Sequence, residues 1–283
     1  MQRTVQESFQ PRVFADVNEF VMTFDTDAAS SALQIDDACP IQMKWFNRDS
    51  DTTFVVFSAA ITRRAAEEVP VFSGWGTTKH LPVNVLMISD PSLILDTDLN
   101  LSWYVGSEKQ GDLVEKLTLV LRAFSRTARL VLFGASGGGF AALVQASRIP
   151  GATALVSNPQ TDITKFSYYP EYVRLVWSDR APIPVQTEVL SLYRNPVDCD
   201  VIYIQNSEDS DHMDNHLSPF QQACHPDNRV LYLTPDLTEG HIGPAPDSFK
   251  EIFSAVTSIG DFNELSAHLR SLRIYSTKQP KNT

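Results

Sequence analysis

A serine in a glycine-rich turn, a histidine in a late loop and two carboxylates at a strand end are the residues of this sequence whose types and spacing could do chemistry. The segment Gly134-Ala135-Ser136-Gly137-Gly138-Gly139 follows the apolar run at 128–133 (ARLVLF) directly and opens a helical stretch at 140–146. A strand, a Gly-x-Ser-x-Gly turn and a helix in that order lift a serine hydroxyl above the end of a sheet. Gly134 and Gly138 occupy the two positions where a side chain would clash with the strand or the helix. The glycine run does not fit a phosphate cradle. No Lys-Ser or Lys-Thr follows it, and the Gly-x-Gly-x-x-Gly spacing of a dinucleotide turn is missing. Ser136 is therefore the expected nucleophile.

A seryl hydroxyl is a weak nucleophile near neutral pH and needs a base that a third group holds. His241 lies in the Gly- and Pro-flanked loop Thr234-Pro235-Asp236-Leu237-Thr238-Glu239-Gly240-His241-Ile242-Gly243-Pro244, beyond the last predicted strand. The preceding strand ends in Gln205-Asn206-Ser207-Glu208-Asp209-Ser210-Asp211, which puts Asp209 and, as second choice, Asp211 at the same sheet edge. Either aspartate could instead cap the helix that follows. The order serine, acid, histidine is one of those in which such triads occur. A metal site is the competing reading of the segment 209–216, because His212 and His216 stand one helical turn apart among carboxylates. No Glu stands where a metalloprotease base would, so a polar helix start with solvated histidines is expected, with no metal and no cofactor.

The elements that must position these residues alternate strand and helix. Short apolar runs at 53–57 (TFVVF), 83–88 (VNVLMI), 128–133, 152–156 (ATALV), 201–204 (VIYI) and 229–233 (RVLYL) predict strands, the first two being covered on both faces. Residues 20–24 (FVMTF) and 41–46 (IQMKWF) alternate and predict an antiparallel start of the sheet, separated by a polar hairpin-like segment. The 3.6-residue period at 112–124 predicts a crossover helix, and two more helical patterns cover 247–259 and 263–275. About eight mostly parallel strands with helices on both faces are expected, in one catalytic domain over 1–275. An insertion at 161–198 carries Tyr168, Tyr169, Tyr172, Trp177 and Tyr193, which either line a substrate pocket or pack the segment onto the body. A polar tail at 276–283 is expected to fray. Ser73-Gly74-Trp75-Gly76 is read as a turn near the active edge, with Trp75 either structural or in contact with substrate.

Bulk properties narrow the field. With 23 basic and 34 acidic residues among 283, the net charge of −11 leaves no electrostatic footprint for nucleic acid. The first residues have no apolar signal core, and no window approaches the ~18 apolar residues of a membrane span. A cytoplasmic location with no membrane partner is the resulting expectation. Cys39, Cys199 and Cys224 are too few and too scattered for a disulfide framework or a zinc knuckle, and free thiols are expected.

On the Gly134-Ala135-Ser136-Gly137-Gly138 turn, Asp209 beyond the strand-end Asn206, and the Gly240-His241 loop, the chain resembles the α/β-hydrolase superfamily over about residues 50–260. That resemblance implies that Ser136 attacks an acyl carbonyl, His241 relays the proton and Asp209 fixes the imidazole. It implies an oxyanion hole made by the Gly137 amide and one amide of the loop Ser58-Ala59-Ala60, with Ala60 first choice and Ala59 second. Many relatives have a His-Gly pair where this chain has Ser58-Ala59. Ser157-Asn158-Pro159-Gln160 resembles the corresponding turn in hydrolase-like proteins associated with bacterial surface polysaccharides, which implies an acyl ester on a sugar. Three functions follow as expectations: a carboxylic-ester hydrolase, an acyltransferase to or from a carbohydrate or other alcohol, and a non-catalytic hydrolase-fold binding protein. A small-molecule or carbohydrate ester is the expected partner in the first two.

Overall fold

The computed structural model describes residues 1–61 and 68–277. Residues 278–283, most of the expected tail, lie outside the described residues. Among the described residues there are eleven strands: β1 (Thr4–Val5), β2 (Arg12–Phe14), β3 (Ser31–Ile35), β4 (Ile41–Phe46), β5 (Thr52–Phe57), β6 (Glu68–Val69), β7 (Asn84–Ile88), β8 (Arg129–Ala135), β9 (Ala152–Ser157), β10 (Cys199–Ile204) and β11 (Arg229–Leu233). The helices are α1 (Val17–Thr23), α2 (Trp75–Thr78), α3 (Leu113–Ser125), α4 (Gly137–Ala146), α5 (Tyr169–Val176), α6 (Leu190–Tyr193), α7 (Ser210–His212), α8 (Ser218–Ala223), α9 (Pro246–Ser258) and α10 (Phe262–Ser271).

Nine strands form one sheet in the order β11-β10-β9-β8-β5-β7-β4-β3-β2, and β1 pairs with β6 apart from it. Every pairing from β7 to β11 is parallel, whereas β4 runs antiparallel to both β3 and β7. Alternate residues of the central strands feed two cores. Val55, Phe57, Leu130 and Leu132 pack with α3 and α4, while Phe54, Val56, Val131 and Phe133 pack with α9 and α10. This two-sided cover is why these strands read as nearly continuous apolar runs.

The register puts the carboxyl ends of β5, β8, β9, β10 and β11 side by side. Phe57 pairs with Gly134, Ala135 and Ile204 each pair with Ser157, and Ile204 pairs with Leu233. The loops leaving these strands carry Ser58 to Ala60, Ser136, Gln160, Asp209 and His241, so one sheet edge collects all of them.

Two expectations fail at the amino-terminal flank. Residues 20–23 are helical, not extended, with Phe24 as the C-cap: Asp16 caps α1 by accepting from the Glu19 amide, and Glu19 accepts from Ala15 N in return. That reciprocal capping fixes a helix start. Phe20 and Phe24, spaced both for a strand face and for one helical turn, stack at 4.8 Å across the end of α1. The presumed hairpin segment instead holds β3, and β2 lies beyond it, which makes nine strands where about eight were expected. No helix among the described residues is long and apolar enough to cross a membrane. Cys39 and Cys199 are buried and Cys224 half-buried, all as free thiols.

Candidate active site

Ser136 stands between β8 and α4 at φ 52° and ψ −121°. Non-glycine residues seldom adopt this backbone, and it persists where the surroundings over-determine it. Here the Ser136 amide donates to Ser157 O (3.0 Å), and Ser136 O accepts from the amides of Gly139 (3.0 Å) and Gln160 (3.2 Å). The glycines are required by contact: a Cβ on Gly134 would lie 2.0 Å from Gly138 O, and one on Gly138 would lie 2.5 Å from Phe57 O. Both are far inside van der Waals separation, so the turn closes only with glycine.

Asp209 and His241 meet directly. His241 Nδ1 lies 2.8 Å from Asp209 Oδ2, across 32 residues of sequence. Asp209 also caps α7, its Oδ1 accepting from the His212 amide at 3.3 Å, so the capping role and the contact with His241 coexist. Asp211 is exposed and accepts from Asn215 Nδ2 at 2.8 Å; of the two candidate acids, Asp209 is the one that touches His241. Burial would raise the Asp209 carboxyl, but the contacts of His212 and His241 outweigh it and hold the carboxyl well below the usual carboxylate range. The carboxylate is therefore charged at any pH where a neutral imidazole exists. With Nδ1 on Asp209, the half-exposed His241 ring keeps Nε2 for a second partner.

The histidine loop is clamped by two asparagines that sequence reasoning did not single out for that purpose. Asn206 Nδ2 donates to Thr238 O (2.7 Å) and Gly240 O (2.8 Å), and Asn206 Oδ1 accepts from the amides of Leu237 (3.0 Å) and Glu208 (3.2 Å). Asn158 Nδ2 donates to Ile242 O at 2.9 Å, and its Oδ1 accepts from Asn206 N at 2.8 Å. The loop thus rests on the ends of β9 and β10, beside the strand end that receives the Ser136 amide.

Among the described residues, Ser136 Oγ has a single hydrogen-bond partner, Gln160 Nε2, at 3.1 Å. There is no direct bond from Ser136 to His241 in this state. Catalytic hydrogen bonds often tighten only once substrate is bound.

No protein-family profile matches the sequence, and no curated protein does. Solved structures do match. The capsule O-acetyltransferase of Neisseria meningitidis serogroup A in complex with CoA is similar at a TM-score of 0.60 and 12% identity, over 80% of this chain and 95% of that one. An S-formylglutathione hydrolase from Agrobacterium tumefaciens is similar at 0.53 and 13%, over 89% of this chain and 98% of that one. Prolyl oligopeptidase B from Galerina marginata is similar at 0.53 and 12%, over 87% of this chain and 38% of that one. The chain has an α/β-hydrolase fold.

In an α/β-hydrolase fold the amide after the nucleophile and one after an early strand face the acyl oxygen. Gly137 is the first residue of α4, and its N–H belongs to the helix-end amides without an intrahelical acceptor. In the loop after β5, the Ser58 amide donates to Tyr104 Oη (2.7 Å) and the Ile61 amide to Asn100 O (2.8 Å). Among the described residues the Ala59 and Ala60 amides have no acceptor.

The insertion aromatics largely pack. Tyr172, Trp177 and Tyr193 are buried; Tyr172 Oη donates to Gly106 O (2.7 Å), Trp177 Nε1 to Tyr172 Oη (2.9 Å) and Tyr193 Oη to Leu143 O (2.9 Å). Tyr168 alone of the set is a large exposed ring. Trp75 does not stand at the active edge: it opens α2 and stacks at 4.2 Å on Phe46, which pairs with Val85 near the start of β7.

The expected solvated histidines are buried instead. His212 is 2% exposed, and His216 is fully buried, its Nδ1 accepting from the Thr161 amide at 3.2 Å. Asp209, His212 and His241 have ligand-type atoms within 4.8 Å of one another. The His212 and His241 rings, however, stack at 26°. An ion in the plane of one imidazole would lie out of the plane of the other, so the cluster suits a shared carboxylate better than a metal.

Proposed function

We propose that this protein is a serine-dependent carboxylic-ester hydrolase working through an acyl-enzyme, with Ser136 as nucleophile, His241 as base and Asp209 as the group that orients and balances the imidazole. The observation that carries this reading is the His241–Asp209 bond at 2.8 Å on the strand edge that also bears Ser136 in its strained turn. In acylation the Ser136 proton passes to His241 Nε2 as Oγ attacks the carbonyl, and the same proton then goes to the leaving alcohol. In deacylation water repeats the sequence in reverse. The amides of Gly137 and of Ala60 or Ala59 would receive the oxyanion, a contribution that typically reaches about a hundredfold or more per donor.

A second reading, acyl transfer to a carbohydrate hydroxyl, has its own support. The capsule O-acetyltransferase overlays at a higher TM-score than the formylglutathione hydrolase, 0.60 against 0.53. Transfer differs from hydrolysis only in the nucleophile that relieves the acyl-enzyme.

The deciding experiment is labelling of the folded protein with a fluorophosphonate, followed by turnover of short-chain aryl esters with and without added sugar acceptors. Stoichiometric labelling that Ser136→Ala abolishes is the expected result. Absence of labelling would overturn the serine mechanism and leave a binding protein. Product partition that follows added acceptor would select transfer over hydrolysis.

A further inference from the structure

Gln160 is fully buried and bridges two side chains distant in sequence. Its Oε1 accepts from Trp103 Nε1, and its Nε2 donates to Ser136 Oγ at 3.1 Å. The orientation of this amide follows from the chemistry of its neighbour. An indole N–H can only donate, so the amide oxygen must face Trp103 and the amide NH2 must face Ser136. Ser136 Oγ is therefore an acceptor toward Gln160, and its own proton stays free for the base.

The scaffold holds Trp103 with some insistence. Trp103 and Tyr104 are consecutive non-glycine residues in the left-handed region, at φ 54° and 60°. The Tyr104 amide is held by Asp90 Oδ2 (2.8 Å), and Tyr104 Oη bridges Ser58 N and Ile88 O. The Tyr172 ring meets the Trp103 indole edge-on at 5.4 Å. Strain of this kind collects where a side chain must be aimed.

Resting on the serine-nucleophile reading above, we infer that Gln160 is a catalytic residue that stabilises charge on the nucleophilic oxygen itself, and that Trp103 is the positioning residue that keeps its amide turned the right way. Oγ gathers negative charge twice: as it loses its proton to His241 and forms the bond to the acyl carbon, and again as that bond breaks and Oγ departs to reclaim a proton from His241. In the resting enzyme Gln160 donates to a neutral hydroxyl; in both transition states it donates to a partial alkoxide. Hydrogen bonds to charged acceptors are about twice as strong, so the donor binds the transition state better than the ground state. The difference corresponds to about a tenfold change in rate. This is separate from the backbone amides, which serve the carbonyl oxygen.

The test is the second-order rate of fluorophosphonate labelling, which reports attack by Ser136 without knowledge of the substrate. Gln160→Met, close in size and without a donor, is expected to label about tenfold more slowly when measured well below its melting transition, which falls because the buried Trp103 indole N–H loses its acceptor. Gln160→Glu, which offers an acceptor that competes for the seryl proton, is expected to be slower still, its rate relative to the native protein at the same pH recovering as the pH is lowered and the carboxyl gains a proton; simple loss of packing would not produce that reversal. Trp103→Phe is expected to slow labelling about threefold in the native background and not at all in the Gln160→Met background. Wild-type rates in Gln160→Met, with Ser136→Ala unlabelled, would overturn the role of Gln160 and leave the serine mechanism standing. No labelling of the native protein would remove both. Additive effects of the Trp103 and Gln160 substitutions would overturn the positioning role. Should Gln160→Met fail to fold, the Trp103→Phe rate decides, and a native rate there counts against the inference.

Discussion

His212 stacks on His241 with ring centroids 4.1 Å apart and 26° between the planes, and the Nδ1 atoms of both rings approach the same oxygen of Asp209, at 3.2 and 2.8 Å. His212 is almost fully buried, whereas the His241 side chain is 40% exposed. The buried imidazole forms a wall behind the exposed one. The carboxylate between them is kept ionised and turned toward His241.

The asymmetry predicts which histidine acts as base. His241→Phe removes both ring nitrogens, the one that meets Asp209 and the one left for a second partner, and should lower kcat/KM on an aryl ester by about a thousandfold or more. His212→Phe preserves the stacked wall and should stay within about fivefold. Steady-state kinetics on the two variants checks this, and a larger loss at His212 would reverse the assignment.

Asp209 and Asp211 should separate as sharply. Asp209→Asn leaves an amide opposite His241 Nδ1, which favours the wrong tautomer, so a loss of about a thousandfold to ten-thousandfold in kcat is expected. Asp211→Asn touches an exposed bond to Asn215 and a 3.8 Å approach to His212 Nδ1, with no contact to His241, and should change kcat by less than about twofold. Equal losses at the two positions would show that the acid works through general charge and not through its contact.

The difference between these two aspartates marks where sequence reasoning ran out. The turn around Ser136 is legible because its constraint is local: Gly134 and Gly138 must approach each other and Phe57 closely, and only glycine permits it. His241 is legible because a histidine between Gly240 and Gly243, beyond the last strand, has few structural uses. Asp209 and Asp211 look alike in sequence, since both open a helix, and only the turn at Asn206 decides which one faces the sheet edge. The Trp103–Gln160 bond spans 57 residues and leaves no local pattern. In the sequence Gln160 stands out only as the last residue of the Ser157-Asn158-Pro159-Gln160 turn, with nothing to link it to Trp103 or to the hydroxyl of Ser136. The flank failed for a different reason: Phe20 and Phe24 satisfy a period of two and a period near four equally, and the cap at Asp16 breaks the tie.

Acid stability should carry a signature of His216. Burial, and then the nearby His212, push its imidazole down to about 4 from an ordinary 6.5. On acidification the unfolded chain takes up this proton near pH 6.5, while the folded protein resists until about pH 4. The unfolded state thus binds more protons between those values, and stability falls as pH falls through that window, by at most about 3 kcal/mol. Asp209 acts in a lower range: with its folded carboxyl depressed, its contribution is present above about pH 4 and is lost only below. His216→Asn keeps an acceptor for the Thr161 amide and carries no titrating group, so its melting temperature should vary less than the native protein's between pH 6.5 and 4. Parallel pH profiles for the two proteins would contradict this assignment.

Asn206 offers the most direct test of how the fold delivers the base. Its amide satisfies the Glu208 amide just before Asp209 and one amide and two carbonyls of the segment 237–240 just before His241, and it is fully buried. Asn206→Asp keeps the shape and the two accepted bonds, but it sets a carboxylate oxygen against the carbonyls of Thr238 and Gly240. An unsatisfied buried polar group costs about 1–3 kcal/mol, more if charged, so denaturant unfolding should show a loss of at least about 2 kcal/mol. Below the melting transition the protein is still folded, and any further effect must act through geometry. Thr238 and Gly240 both sit at positive φ, near 92° and 94°, so a loop released from Asn206 has ready alternatives. A base displaced by about 1 Å loses about a hundredfold in rate. Labelling of Ser136 in folded Asn206→Asp should therefore drop by about tenfold to a hundredfold, and a native labelling rate beside the expected destabilisation would mean that His241 is held by Asp209 alone.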